Sequence, residues 1–319
     1  MMTSAQARER QEARGAGVVT AALASALVFS ACLLMPLLLP FSTLAPLPLA
    51  LQRLSRGSLA AASAALLAAL LLAGAFSGDW ALRYALYLAV PGLLIGGQMA
   101  RGRGLTRGCL LAFLWLAAVI GVKLLASGPE IAHTMLRPFE QIGSREFLDG
   151  IRSSGVPAER VDDIAEQFRT MHAVMKVVYP AMLFILGALV VLANAALLKV
   201  YLLRRDPGWL DGGEFESLRW PLPMAVAFVG SGLLIGVPAL QALGYNVLLL
   251  VAFFFALQGL AVAVYYVRRL AGPPFLRAAV VVLVLVNPWA PEILALLGLF
   301  DTWFDFRKWA EPPRPADGR

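Results

Sequence analysis

Residues 247–267 read VLLLVAFFFALQGLAVAVYYV, and Arg268 and Arg269 follow at once. These 21 residues contain one strongly polar side chain, Gln258. As a helix rising about 1.5 Å per residue the stretch spans about 31 Å, the thickness of a bilayer's hydrocarbon. A buried helix of a soluble domain has no need of so long an apolar run, whereas a membrane crossing does. The paired arginines sit where a span ends and orient it.

The rest of the chain repeats this pattern. Of 319 residues, 60% are hydrophobic and only 15% are charged. Soluble domains carry about a quarter charged residues, so an ordinary globular enzyme, a disordered chain and a disulfide scaffold are excluded. Further long apolar stretches are Gly17–Met35, Ser58–Phe76, Trp80–Gln98, Gly108–Ala126, Val177–Leu198, Leu222–Leu240 and Arg277–Leu299. Phe41–Arg53 is apolar but short and contains Pro46 and Pro48. The expected fold is all-α, a polytopic transmembrane bundle of eight long helices plus one short or re-entrant segment.

Charge placement sets the topology. Arg53 and Arg56, then Arg101, Arg103 and Arg107, then Lys199, Arg204, Arg205 and Arg219, then Arg268, Arg269 and Arg277 form basic clusters. The connections around Asp79 and at Gln241–Asn246 are nearly free of Lys and Arg. Basic and bare connections alternate, as the positive-inside bias requires. The net charge of +7 therefore orients helices rather than binding nucleic acid. Arg8, Arg10 and Arg14 precede a first apolar run longer than a secretory leader's, which reads as a retained helix. The N-terminus joins the cytoplasmic side if Phe41–Arg53 crosses back. Strict alternation then leaves the tail outside, in conflict with Arg307 and Lys308; a last helix that doubles back would remove the conflict.

The segments are accordingly a cytoplasmic N-terminal tail (1–16), a first helix group (17–126), a polar amphipathic segment (127–176), a second helix group (177–299) and an interfacial and disordered tail (300–319). In the polar segment, Pro157 opens a helix that places Val161, Ile164, Phe168 and Met171 on one face.

Chemistry is sparse. His133 and His172 are the two histidines, no cluster offers a metal three or four ligands, and Cys32 and Cys109 lie inside apolar runs. No phosphate loop or nucleophile elbow is present. The expectation is a protein that is no enzyme and takes no metal or cofactor.

Four groups of residues merit attention. Asn287 and Pro288 interrupt the last span, and Asn287 is placed to cap a second half-helix, an arrangement transporters use to bind substrates; a plain proline kink is the alternative. Lys123 and Glu292 are charges within spans at matching depth, so an ion pair competes with snorkelling of the lysine. Asn194, Gln258 and Asn246 are expected to bond across helices, and any of them lining a polar cavity would serve a substrate. Ala22, Ala26 and Ser30 form a small-residue stripe on the first helix, suited either to a partner's docking or to packing within the bundle.

The C-terminal third contains Gly244-Tyr245-Asn246, then Leu257-Gln258-Gly259-Leu260-Ala261-Val262, and closes on LGLFDTWFDFRKW from Leu297. With Pro180, Asn194 and Leu218-Arg219-Trp220-Pro221, these strings resemble the YybS-like family of bacterial membrane proteins, domain of unknown function 2232. That family is remotely similar to the substrate-binding membrane subunits of energy-coupling-factor transporters, and the similarity implies a docking role for the Ala22–Ala26–Ser30 stripe. The closing string reads as an interfacial helix start, with Trp303 as a bilayer anchor and Asp301, Asp305 and Arg307 holding the helix end through ion pairs.

The sequence thus leads to a multi-pass protein of the bacterial cytoplasmic (inner) membrane. Its expected role is a small-molecule transporter or the substrate-binding subunit of one, with the bilayer, a membrane partner subunit and an unidentified small molecule as partners. A non-transporting scaffold for envelope or signalling proteins is the alternative.

Overall fold

The computed structural model describes residues 4–35, 42–205, 215–269, 282 and 286–310. Among them the elements are helical: α1 (Ser4–Leu34), α2 (Pro46–Arg56), α3 (Ser58–Ala75), α4 (Gly78–Tyr84), a π-turn (Ala85–Ala89), α5 (Val90–Ala100), α6 (Gly104–Ile142), α7 (Arg145–Ser153), α8 (Ala158–Arg205), α9 (Leu222–Ile235), α10 (Gln241–Arg269) and α11 (Ala290–Phe304). Short 3-10 turns cover Phe215–Ser217 and Phe306–Ala310. Six described helices are long and apolar enough to cross a membrane.

The all-α, polytopic expectation holds, with a different helix count. The stretch expected to cross at Leu222–Leu240 is a helix of only 14 residues, α9; Gly236 and Pro238 follow it, and a proline cannot continue a helix. The first part of the expected span Arg277–Leu299 lies outside the described residues, as do residues 36–41, 206–214, 270–281 and the tail from Glu311.

The polar segment 127–176 is itself largely helical. The α6 helix breaks at Ser127 (φ −142°, ψ 29°), just before Gly128-Pro129, where the proline's missing N–H and its ring disrupt the ladder. It then resumes to Ile142. The helix expected from Pro157 starts at Ala158 and runs without interruption into the next apolar span, through Pro180, for 48 residues. Val161 and Ala165 are buried, so its apolar stripe is satisfied by packing, whereas Met171 is exposed. Ser144 caps α7 by accepting the Phe147 N–H.

The chain divides into two compact units, Met1–Ser127 with Leu186–Gly213, and Gly128–Ile185 with Glu214–Arg319. In the first, α1 and α2 run in opposite senses. Ser25, midway along the α1 span, donates to the Ala45 carbonyl at 2.6 Å, while Gly17 lies against the Arg56 guanidinium. The described part of the short segment therefore returns to the end from which α1 set out, as a crossing back requires. Pro46 and Pro48 delete two of the N–H groups that a helix start leaves unpaired in an apolar interior. The α2 helix then lies on a glycine face of α5: a Cβ at Gly92 would stand 2.7 Å from the Pro46 carbonyl, and one at Gly96 2.6 Å from that of Ala50. Lipid tails are as apolar as leucine, so such close backbone approach, rather than hydrophobic burial, holds membrane helices together.

In the second unit, α9 and α10 are antiparallel, with Gly244 tight against Ser231 and Ile235. The crossing of α10 and α11 is closer still. A Cβ at Gly259 would overlap the Leu294 carbonyl, and one at Gly298 the Phe255 carbonyl. Further along, Tyr265 reaches Arg307 and Tyr266 reaches Phe306, so α11 advances in the same sense as α10. The LGLFDTWF string is thus the end of a helix, not its start: Asp305 closes it in the left-handed region (φ 48°) and donates its N–H to the Asp301 carbonyl.

Candidate functional site

The polar side chains of the second unit converge where α10 and α11 end. Gln258 and Asp301 are 0% and 1% exposed. The Gln258 amide donates to Asp301 Oδ2 at 3.0 Å and accepts the Trp220 N–H at 2.8 Å. Asp301 Oδ1 takes the Phe306 N–H at 3.1 Å, and its Oδ2 faces Arg307 Nη1 at 3.3 Å. Arg307 donates through Nη2 to the Leu218 carbonyl, and the Tyr265 hydroxyl donates to the Arg307 carbonyl. The Trp220 indole donates to Phe254 O. One buried carboxylate thus ties together α10, the extended entry to α9 and the turn after α11.

Around this core the charges are layered. Asp305 pairs with Arg219 and Lys308, and Glu216 with Arg268. The two carboxylates face inward, with side chains 13% and 10% exposed, while Arg219, Arg268 and Lys308 are 45%, 57% and 74% exposed. Arg269 stacks on the Tyr265 ring, 3.5 Å from its centroid. Burial pulls the Arg307 guanidinium below its ordinary range, the neighbouring Asp301 pulls it back up, and Arg219 opposes that; a guanidinium nevertheless stays charged in a protein.

This cluster unites Gln258, Asp301, Asp305 and Arg307 of the residues singled out from sequence, with Trp303 exposed beside them on α11. At the end of α11, Arg307 pairs with Asp301, and Asp305 with Arg219 and Lys308. Glu216 and Tyr265 were not foreseen. Tyr265 follows Gln258 by two helical turns and so shares its face, a signal the sequence did offer; Glu216 had none.

The other residues lie elsewhere. Asn287 and Glu292 are exposed in the second unit. Asn287 Oδ1 accepts the Trp289 N–H at 2.9 Å, and the half-helix begins at Ala290 rather than Pro288. Lys123 belongs to the first unit and is exposed on α6. Asn194, also in the first unit, donates to the Thr43 carbonyl just ahead of α2 and back to Val190. Asn246 reaches α8, bonding Ala181 N–H and Val177 O. Ala22 and Ala26 are 0% and 6% exposed within the core of the first unit, and Ser30 is half-buried. The chain's own helices therefore cover Ala22 and Ala26.

In the first unit Ser25 spends its one hydroxyl proton on Ala45, so Tyr84 must donate to Ser25 Oγ, 2.6 Å away. Trp115 donates its indole N–H to Leu86 O in the π-turn.

A family model described as "Predicted membrane protein (DUF2232)" matches residues 22–302. The chain belongs to this family. No curated protein and no solved structure matches it. The DUF2232 match takes in both units, from Ala22 on α1 to Thr302 on α11, and stops just short of Asp305 and Arg307. Membership makes the protein a membrane protein, and its six long apolar helices are consistent with several crossings.

Proposed function

We propose that this DUF2232 protein resides in the bacterial cytoplasmic membrane with its N-terminus and basic helix ends inside, and serves as a small-molecule transporter or as the substrate-binding membrane subunit of one. The half-helix α11 carries the reading. It opens at a break, Asn287–Trp289, and leads with Glu292 exposed in its first turn. Its Leu294 carbonyl already lies against Gly259, well inside the length of α10. Transporters build substrate sites from such interrupted helices, and an intramembrane carboxylate at a helix start is a functional group by default. The reading assigns no catalytic step and no cofactor.

The second unit supports this orientation. Arg219, Arg268 and Lys308 gather at one of its ends, so the positive-inside bias assigns that end, and the turn after α11, to the cytoplasm.

Cysteine accessibility tests the function. In a background lacking Cys32 and Cys109, single cysteines at Asn287, Glu292, Ile293 and Leu296 are treated with a water-soluble thiol reagent in intact cells. A water-lined substrate path makes the first two reactive and the last two inert. Silence at both Asn287 and Glu292 would remove the support for transport and favour the scaffold reading, which the engagement of Asn246 and Gln258 in bonds between segments also suits.

A further inference from the structure

Two of the carboxylates at the basic end of the second unit, Glu216 and Asp305, are turned inward and their cationic partners outward. An object approaching this end from the membrane surface meets Arg219, Arg268 and Lys308 before it meets either of these carboxylates. Among the described residues Asp305 serves both Arg219 and Lys308. One carboxylate cannot saturate the donors of a guanidinium and an ammonium together, so an anionic oxygen would find free donors on both.

The surroundings fix the depth of this layer. Trp303 and Tyr266 are 52% and 37% exposed, and amphipathic aromatics of this kind settle at the level of lipid headgroups; Phe304 beside them is 56% exposed. Phe300, one turn before Phe304, continues the exposed aromatic face along α11 at 46%, a surface for acyl chains below the charges. Cations above and apolar rings below form the two halves of a phospholipid site.

We propose that Arg219 and Lys308, held side by side by Asp305, bind the phosphate of an anionic phospholipid whose chains lie along Phe300 and Phe304. The site is separate from the Asn287–Glu292 break and stands whether or not the protein transports anything. Each cation near a charged lipid surface is worth on the order of fivefold in binding.

The experiment uses the full-length protein in detergent with equimolar phosphatidylglycerol and phosphatidylcholine of identical chains, retained lipid being read by native mass spectrometry. The wild-type protein retains the anionic lipid preferentially. Arg219→Gln with Lys308→Gln abolishes the preference, whereas the charge-keeping pair Arg219→Lys and Lys308→Arg preserves it, which separates lost binding from lost folding. Arg103→Gln, in the first unit, leaves it unchanged. Equal retention of the two lipids by the wild type, an undiminished preference in the double Gln variant, or loss of the preference in millimolar inorganic phosphate would each overturn the proposal, the last by showing a site for free anions.

Discussion

Asn246 repairs the turn of α8 that Pro180 disturbs. Its Oδ1 accepts the Ala181 N–H at 2.8 Å and its Nδ2 donates to the Val177 carbonyl at 2.8 Å. These two backbone groups are each other's partners in a regular helix. A proline between them bends the ladder, and in an apolar setting any group left open is costly. One side chain from α10 supplies both a donor and an acceptor beside the proline.

Asn246→Ala should therefore destabilise the protein by about 1–2 kcal/mol, the worth of an interhelical bond plus part of the cost of the exposed groups. Pro180→Ala, which restores an unbroken backbone ladder to α8, should recover much of that loss when combined with it. Denaturant-titrated unfolding of the four variants in detergent gives the coupling. Strict additivity would show that the amide and the proline act independently.

The crossing of α10 and α11 depends on the absence of two side chains. Gly259→Ala and Gly298→Ala each place a Cβ into a neighbouring backbone carbonyl, and overpacking of this kind costs about 1–3 kcal/mol or more. Gly230 and Gly232 on α9 have open space where a Cβ would stand, so the same change there should be close to neutral. Melting temperatures by tryptophan fluorescence decide it; equal effects at all four positions would remove the special status of the crossing.

Asp301 and Arg307 form a buried pair with side chains 0% and 7% exposed. Removing one partner strands the other's charge, which costs about 3–5 kcal/mol, whereas replacing both is far milder. Asp301→Asn alone should sharply lower folded yield, and Asp301→Asn with Arg307→Met should restore a good part of it. Size-exclusion recovery after mild heating is the readout. A double variant no better than Asp301→Asn would mean that the hydrogen bonds of Asp301 to Gln258 and Phe306, and not its charge pairing, matter most.

Much of this was legible in the sequence because bilayer thickness is a coarse constraint. A run such as Val247–Val267 must be a helix, and Asn287-Pro288 must break one. Local physics also told where α8 begins, since Pro157 marks its first turn. What sequence could not show was continuation. Nothing in residues 158–176 says that their helix runs unbroken past Pro180, because the repair comes from Asn246, far along the chain on α10. The sense of α11 was hidden for a like reason. LGLFDTWF is compatible with either end of a helix, and only the pairing of Tyr265 with Arg307 decides it. At the candidate site, Asp301, Asp305 and Arg307 stood out because charges beside an apolar run are conspicuous. Glu216 did not, since an acid in a polar connection looks like any solvated residue until Arg268 is seen against it.

The first unit solves a proline problem by a different substitution. Between Ala85 and Ala89 the helix loosens into a π-turn, in which each carbonyl accepts from the fifth residue onward; the Val90 N–H accordingly reaches Ala85 O. The next carbonyl, Leu86 O, would look to residue 91, and that residue is a proline with no N–H to give. The Trp115 indole fills the place at 2.9 Å. Trp115→Phe keeps the ring's bulk and removes the donor, so it should cost about 1–2 kcal/mol. Pro91→Ala in the same background returns a backbone donor to Leu86 and should cancel most of the loss, although the same change in the wild type gains little because Leu86 is already served. Unfolding titrations of the four proteins test this directly: if Trp115→Phe is as harmful alongside Pro91→Ala as it is with Pro91 in place, the indole's part is packing and the account of the π-turn is wrong.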